Sequence, residues 1–166
     1  MKAFSKILLI CLTHLALVAF VSCKKDPCDD VSCLNGGTCM NGTCSCAPGY
    51  EGSDCSTLQR TKFLGGYTVN ESCDSGIYNY DFFIEASTAG VTRVLLTNFG
   101  AVDGSTVSAS VSGTTLNIAQ QSFMVGGQNW GIVGTGQLNG TTLTMTYTLT
   151  FPDNTTDGCT STCTKQ

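Results

Sequence analysis

Three kinds of side chain in this sequence could do chemistry, and they lie apart. Of the 11 cysteines, Cys28, Cys33, Cys39, Cys44, Cys46 and Cys55 crowd into one short stretch, while Cys73, Cys159 and Cys163 lie far beyond it. The single histidine, His14, is embedded in an apolar run from Ile7 to Val21 that only it and Thr13 interrupt. Three carboxylates, Asp74, Asp81 and Glu85, fall close together in the later part of the chain. A thiol or hydroxyl nucleophile needs a base or a positive neighbour to activate it. If the apolar run is removed as a signal, no histidine remains to serve, so Ser-His-Asp, Cys-His and histidine-based metal chemistry are excluded. Paired carboxylates can hydrolyse glycosides, but Asp74, Asp81 and Glu85 come without an accompanying motif and read as solvated surface. The expectation is a protein without catalytic residues and without a cofactor.

Lys2 and Lys6 precede the apolar run, which at about 15 residues is shorter than the roughly 20 that a membrane-spanning helix needs. A basic start followed by a short apolar stretch reads as an export signal over residues 1–22. At its end, Phe20-Val21-Ser22-Cys23 resembles the lipobox of bacterial lipoproteins, with Phe20 where leucine is usual. The resemblance implies that Cys23 carries the lipid, and several acyl chains on one cysteine give lasting membrane attachment. Cys23-Lys24-Lys25-Asp26 is similar to the start of many lipoproteins of Bacteroidota, in which charged residues after the cysteine accompany export to the cell surface. Pro27 and Cys28 interrupt the acidic cluster before Asp29 and Asp30. An outer-membrane lipoprotein facing the cell exterior is therefore expected, with residues 23–27 as its tether and a periplasm-facing orientation as the alternative.

Loss of the signal also removes Lys2 and Lys6 from the 8 basic residues, leaving 6 against 12 acidic ones and a net charge of −6. A chain this acidic, with no basic patch, offers phosphate no footing, so nucleic acid is not an expected partner. The 19 glycines and abundant Thr, Ser and Asn favour short strands joined by tight turns over helices.

Cysteine usage divides the mature chain. The run Cys28-x4-Cys33-x5-Cys39-x4-Cys44-x-Cys46-x8-Cys55, with Asn35-Gly36-Gly37-Thr38 before the third cysteine and Pro48-Gly49-Tyr50-x-Gly52 before the sixth, resembles an EGF-like domain over residues 28–55. A unit this small cannot bury a core that offsets its ordering entropy, so covalent links must restrict the unfolded chain instead. Six cysteines allow fifteen pairings; the resemblance implies Cys28–Cys39, Cys33–Cys44 and Cys46–Cys55. The calcium-binding version of the family is not matched. Asp26 stands at one ligand position, but Pro27 replaces the Glu or Gln, and Met40-Asn41-Gly42-Thr43 is too short to carry the aromatic, so no metal is expected. Among the later cysteines, Cys73 is expected to pair with Cys159 in preference to Cys163, leaving Cys163 free or linking two chains.

Residues 56–62 read as a linker, and 63–166 as one antiparallel β domain. From Thr142 to Phe151, Leu143, Met145, Tyr147, Leu149 and Phe151 alternate with threonines, the period of a half-buried strand. Asn139-Gly140 turns this strand back onto Trp130–Leu138. Val107, Ala109, Val111 and Leu116, Ile118 form a second pair across Ser112-Gly113, entered through Asp103-Gly104. Tyr78, Tyr80, Phe82, Ile84 and Ala86 alternate upstream, Val91–Phe99 follows, and Phe63–Val69 opens the domain. The fold class is all-β: a disulfide-rich module followed by seven or eight antiparallel strands, closed into a barrel or stacked as a sandwich, with neighbour pairing favouring the barrel. Phe63-Leu64-Gly65-Gly66-Tyr67-Thr68-Val69 is similar to the first strand of lipocalin-like domains, with Tyr67 in place of tryptophan. Two functions are compatible with these features. The first is a non-catalytic surface lipoprotein whose EGF-like spacer presents the β domain to a protein or glycan. The second is a lipocalin-like barrel that holds a small apolar ligand in the envelope.

Overall fold

The structure, a computed structural model, describes residues 25–102 and 104–166. The expected signal segment, Cys23 with its expected lipid and the Asp103 half of the expected Asp103-Gly104 turn lie outside these residues.

The N-terminal module is a small hairpin, β1 (Thr38–Met40) with β2 (Thr43–Ser45), followed by the two-residue strands β3 (Tyr50–Glu51) and β4 (Thr57–Leu58), which pair with each other. Disulfides join Cys28 to Cys39, Cys33 to Cys44 and Cys46 to Cys55. Between residues 25 and 58 only Gly49 and Cys55 are buried, so sulfur bridges do the work a core does elsewhere. Gly37 shows how tight this packing is, because a Cβ there would stand 2.8 Å from Cys55 Sγ.

Eight strands follow: β5 (Gly65–Cys73), β6 (Gly76–Ala86), β7 (Arg93–Thr97), β8 (Thr106–Ser112), β9 (Thr115–Val125), β10 (Gln128–Asn139), β11 (Thr142–Thr150) and β12 (Thr156–Lys165). Each pairs antiparallel with the next, and β12 returns to β5, closing an up-and-down barrel. Of the barrel and the sandwich, the chain adopts the barrel, which leaves no open sheet edge. The alternation in β11 is realised, with Leu143, Met145, Tyr147 and Leu149 buried and the threonines between them outside. The tight turns sit one residue later than Asn139-Gly140 and Ser112-Gly113 suggest. Gly140 and Gly113, at φ of 59° and 58°, take the first turn position instead of the second. Glycine enters that left-handed region at the least cost, and in these two turns it is the glycine that takes the first position, whereas in the β1–β2 hairpin Asn41, at φ 51°, takes it ahead of Gly42.

One end of the barrel is closed by the segment read as a linker. After β4, a 3-10 helix (Gln59–Phe63) drives Phe63, fully buried, into the barrel, where its carbonyl accepts the Tyr67 hydroxyl at 2.8 Å. From the same turn Arg60 Nη1 donates to the carbonyls of Ser87, Gly90 and Arg93 at 2.8, 2.9 and 3.1 Å. Gln59 accepts from Gly113 N–H at 2.9 Å and donates to Tyr50 O at 3.2 Å, so one amide touches both units. The module is thus seated on the end formed by the β6–β7 and β8–β9 connections. Inward from there, an aromatic ladder fills the interior: Tyr67 stacks on Phe82 at 5.3 Å, Phe82 meets Phe99 edge-on at 5.5 Å, and Phe99 leans on Tyr147 at 4.8 Å. Contacts of this geometry add to simple area burial.

Candidate ligand cavity at the barrel mouth

The opposite end is the mouth, bordered by the β5–β6 turn, residues 98–102 and 104–105, the Gly126-Gly127 turn and residues 151–155. Because neighbouring strands run antiparallel, every mouth connection lies a full strand length from the seated module. Phe99 dips into the barrel from this side, and above it opens a cavity of about 270 Å³. One wall is apolar, made by Trp130, Leu149 and Phe151, with Trp130 held edge-on to Phe151 at 4.8 Å and beside Phe123 at 6.4 Å. The other wall carries Glu71, Ser75, Tyr78 and Asp157.

Glu71 is on β5, in phase with the inward residues Tyr67 and Val69, and is 2% exposed. A buried carboxylate must be compensated by hydrogen bonds. Three hydroxyls converge on its Oε2: Tyr147 at 2.6 Å, Ser161 at 2.6 Å and Tyr80 at 3.0 Å. Tyr80 in turn accepts the Gly100 N–H at 3.2 Å, which ties the mouth segment to the network. Burial pushes both tyrosine hydroxyls far above their ordinary range; the neighbouring Glu71 carboxylate adds to this for Tyr80, and Tyr80 itself adds to it for Tyr147. Both therefore remain protonated donors. The other oxygen, Oε1, has Cys73 Sγ at 3.6 Å as its one polar contact among the described residues. That sulfur is bonded to Cys159 and has no hydrogen to give. Among the described residues Oε1 thus has no donor, and the buried indole N–H of Trp130 has no acceptor.

The second mouth carboxylate, Asp157, is satisfied. It accepts the Ser75 backbone N–H at 3.1 Å and the Ser75 hydroxyl, and Ser75 Oγ lies 3.1 Å from the Tyr78 hydroxyl. Asp74, at the rim, accepts Gly158 N–H at 3.0 Å. Asp81 and Glu85 lie elsewhere, exposed on the outer face of β6. The three carboxylates singled out in the sequence therefore do not form one site. The bridge Cys73–Cys159 joins directly opposed residues of β5 and β12 at the cavity wall, and Cys163 is a free thiol buried in the barrel. Burial, with Glu71 beside it, pushes the Cys163 thiol up to about 12. Glu71, Cys73 and Cys159 lie close enough to hold a metal, but both sulfurs are spent in the disulfide. Asp26 accepts the Cys28 N–H at 2.8 Å within its own turn.

A second groove, of about 480 Å³, lies between β9, β10 and the β11–β12 connection. It is lined by amides of Gln120, Gln128, Asn129 and Asn154 around Phe151 and Pro152.

Sequence reasoning missed Glu71, Ser161 and Trp130 as site residues. Glu71 and Ser161 carry a usable signal: Tyr67-x-Val69-x-Glu71-x-Cys73 and Asp157-x-Cys159-x-Ser161-x-Cys163 keep strict period two, so a polar residue in the apolar phase points inward. In comparisons with known proteins no family model matches the chain and no curated protein matches its sequence.

Proposed function

We propose that the chain is a non-catalytic envelope lipoprotein whose barrel mouth binds a small molecule, with the N-terminal module as a rigid base between membrane and barrel. The observation that carries the reading is the mouth cavity, lined by Glu71, whose Oε1 has no donor among the described residues, and by Trp130, whose buried indole N–H has no acceptor among them. Buried polar groups are otherwise paired almost without exception, and a donor supplied from outside would satisfy Glu71 Oε1. The EGF-like reading of the module is supported by its bridges, two interleaved and the third following them, and the lipocalin-like reading of the barrel by its up-and-down closure. Lipidation at Cys23 would enter through the module, whose seat on the far end of the barrel turns the mouth away from the bilayer.

The anchored body would hold its cavity toward the medium it samples, at the cell surface or, in the alternative orientation, in the periplasm. No step of covalent chemistry is assigned to it. Trp130 is the chain's single tryptophan and lines the cavity, so its emission reads occupancy directly. A panel of small aromatic alcohols, acids and amines should contain members that saturably change Trp130 emission and raise the melting temperature by linkage. Val102→Phe, which places a ring at the mouth, should abolish both responses. A panel without a single binder refutes the cavity reading. The amide-rich groove supports a second reading, presentation of the barrel to a glycan, since amides around an aromatic ring match sugar hydroxyls and their apolar faces. Binding on a glycan array that is lost in Asn129→Ala and kept in Val102→Phe would favour it.

A further inference from the structure

The distribution of charge along the barrel axis is one-sided. Beyond residue 25, the basic side chains are Arg60, Lys62, Arg93 and Lys165. All four belong to the module end: Arg60 and Lys62 in the capping turn, Arg93 at the β6–β7 connection, and Lys165 reaching the Lys62 carbonyl at 3.0 Å. The mouth carries Glu71, Asp74, Asp153 and Asp157, and none of the residues lining its cavity is basic. A cleft bordered by one sign of charge concentrates the opposite sign.

Resting on the small-molecule reading above, we propose that the mouth cavity selects an organic amine, its ammonium donating to Glu71 Oε1 and its apolar body lying against Trp130, Leu149 and Phe151. The division of labour at Glu71 favours this. All three protein hydroxyls bind Oε2, so a ligand donor meets an oxygen that is free, and the network fixes the carboxylate for it. An anionic ligand would meet Glu71 and Asp157 with no counter-charge in reach, and burying an unpaired charge is costly. A neutral ligand can hydrogen-bond Oε1, but without the charge assistance that strengthens an ammonium–carboxylate bond. Aromatic walls suit a cation as well, since ring faces attract positive charge. At about 270 Å³ the cavity has room for one ring and a short side chain, not for a lipid or a peptide.

The test uses three near-isosteres, phenethylamine, phenethyl alcohol and hydrocinnamate, titrated at neutral pH against the full chain in detergent with Trp130 emission as the readout. The amine should bind about tenfold or more tightly than the alcohol, and hydrocinnamate should give no saturable change. In Glu71→Gln, which keeps an acceptor for the three hydroxyls, the amine's affinity should fall to within about twofold of the alcohol's, with the alcohol's own affinity unchanged. Alcohol or hydrocinnamate binding as tightly as the amine overturns the charge selection and leaves the cavity reading standing. An amine preference that persists in Glu71→Gln overturns the role of Glu71. No response to any of the three, with none to the wider panel, overturns both readings together. Should Glu71→Gln fail to fold, the wild-type comparison decides by itself.

Discussion

The bridge Cys73–Cys159 ties the first barrel strand to the last, and its removal has a size that can be worked from the chain. The two cysteines are 86 residues apart, and closing a loop of that length removes about 15 cal/mol/K from the unfolded chain, or about 4.6 kcal/mol at 25 °C. The β5–β12 pairing it spans is the least local contact of the barrel, the one whose closure costs the open chain most. Against the 5–15 kcal/mol typical of a domain, a loss of about 4.6 kcal/mol is a large part of the whole. For a barrel of about 100 residues this lowers the melting temperature by about 20–35 °C. The variant is Cys73→Ala with Cys159→Ala, leaving the three N-terminal bridges in place as checked by mass spectrometry of peptides. Urea unfolding followed by Trp130 emission gives both stability and m-value, and the m-value should rise because the unfolded chain, freed of its cross-link, exposes more surface. A loss below about 1.5 kcal/mol with an unchanged m-value would refute the assignment of the bridge's effect to the unfolded state.

Other consequences concern separate parts of the molecule. The thiol of Cys163 and the hydroxyl of Tyr67 both titrate near 12 in the folded state, against ordinary values of 9.0 and 10.0. A folded-state value raised in this way leaves full stability below pH 9 and loses it as pH climbs toward 12. Urea midpoints measured from pH 8 to pH 12 should fall across that window, and less steeply in Cys163→Ala. Arg60→Ala removes three carbonyl contacts between module and barrel, which should cost about 2 kcal/mol; limited proteolysis should then cut between residues 55 and 65, where the wild type resists. Gly134→Ala would place a Cβ 2.4 Å from Tyr147 Cβ and 2.8 Å from the Thr146 carbonyl, at the register shift between β9 and β10. Overpacking there should cost about 1–3 kcal/mol by thermal or urea unfolding.

How much was legible in the sequence differs from element to element. The disulfide-rich module shows itself by cysteine spacing, because a unit without a core must be held covalently, and such links need cysteines at fixed offsets. β11 is plain, since each inward residue is apolar and each outward one is threonine. β12 is hidden: its inward residues are Asp157, Cys159, Ser161 and Cys163, and a pattern read by hydrophobicity does not register an acid or a serine as core. Glu71 is missed for the same reason. Its inward phase is visible once β5 is drawn through to Cys73, but the hydroxyls that make its burial tolerable come from β6, β11 and β12, up to 90 residues away.

The capping segment marks the boundary between the two kinds of knowledge. Ser56 to Lys62 has the polar, aperiodic composition of a linker, and local propensity carries nothing further. Only closure of the barrel brings the carbonyls of Ser87, Gly90 and Arg93 to one point, where a single guanidinium satisfies all three. By itself the sequence determined an all-β chain, the cysteine-dense stretch that ends at Cys55, the glycines near which the chain turns, and the absence of histidine beyond residue 14. These are local matters of backbone freedom, alternation and composition. The tertiary structure decided barrel over sandwich, which end is sealed, and where Glu71 keeps an oxygen free, because each depends on groups brought together from distant strands.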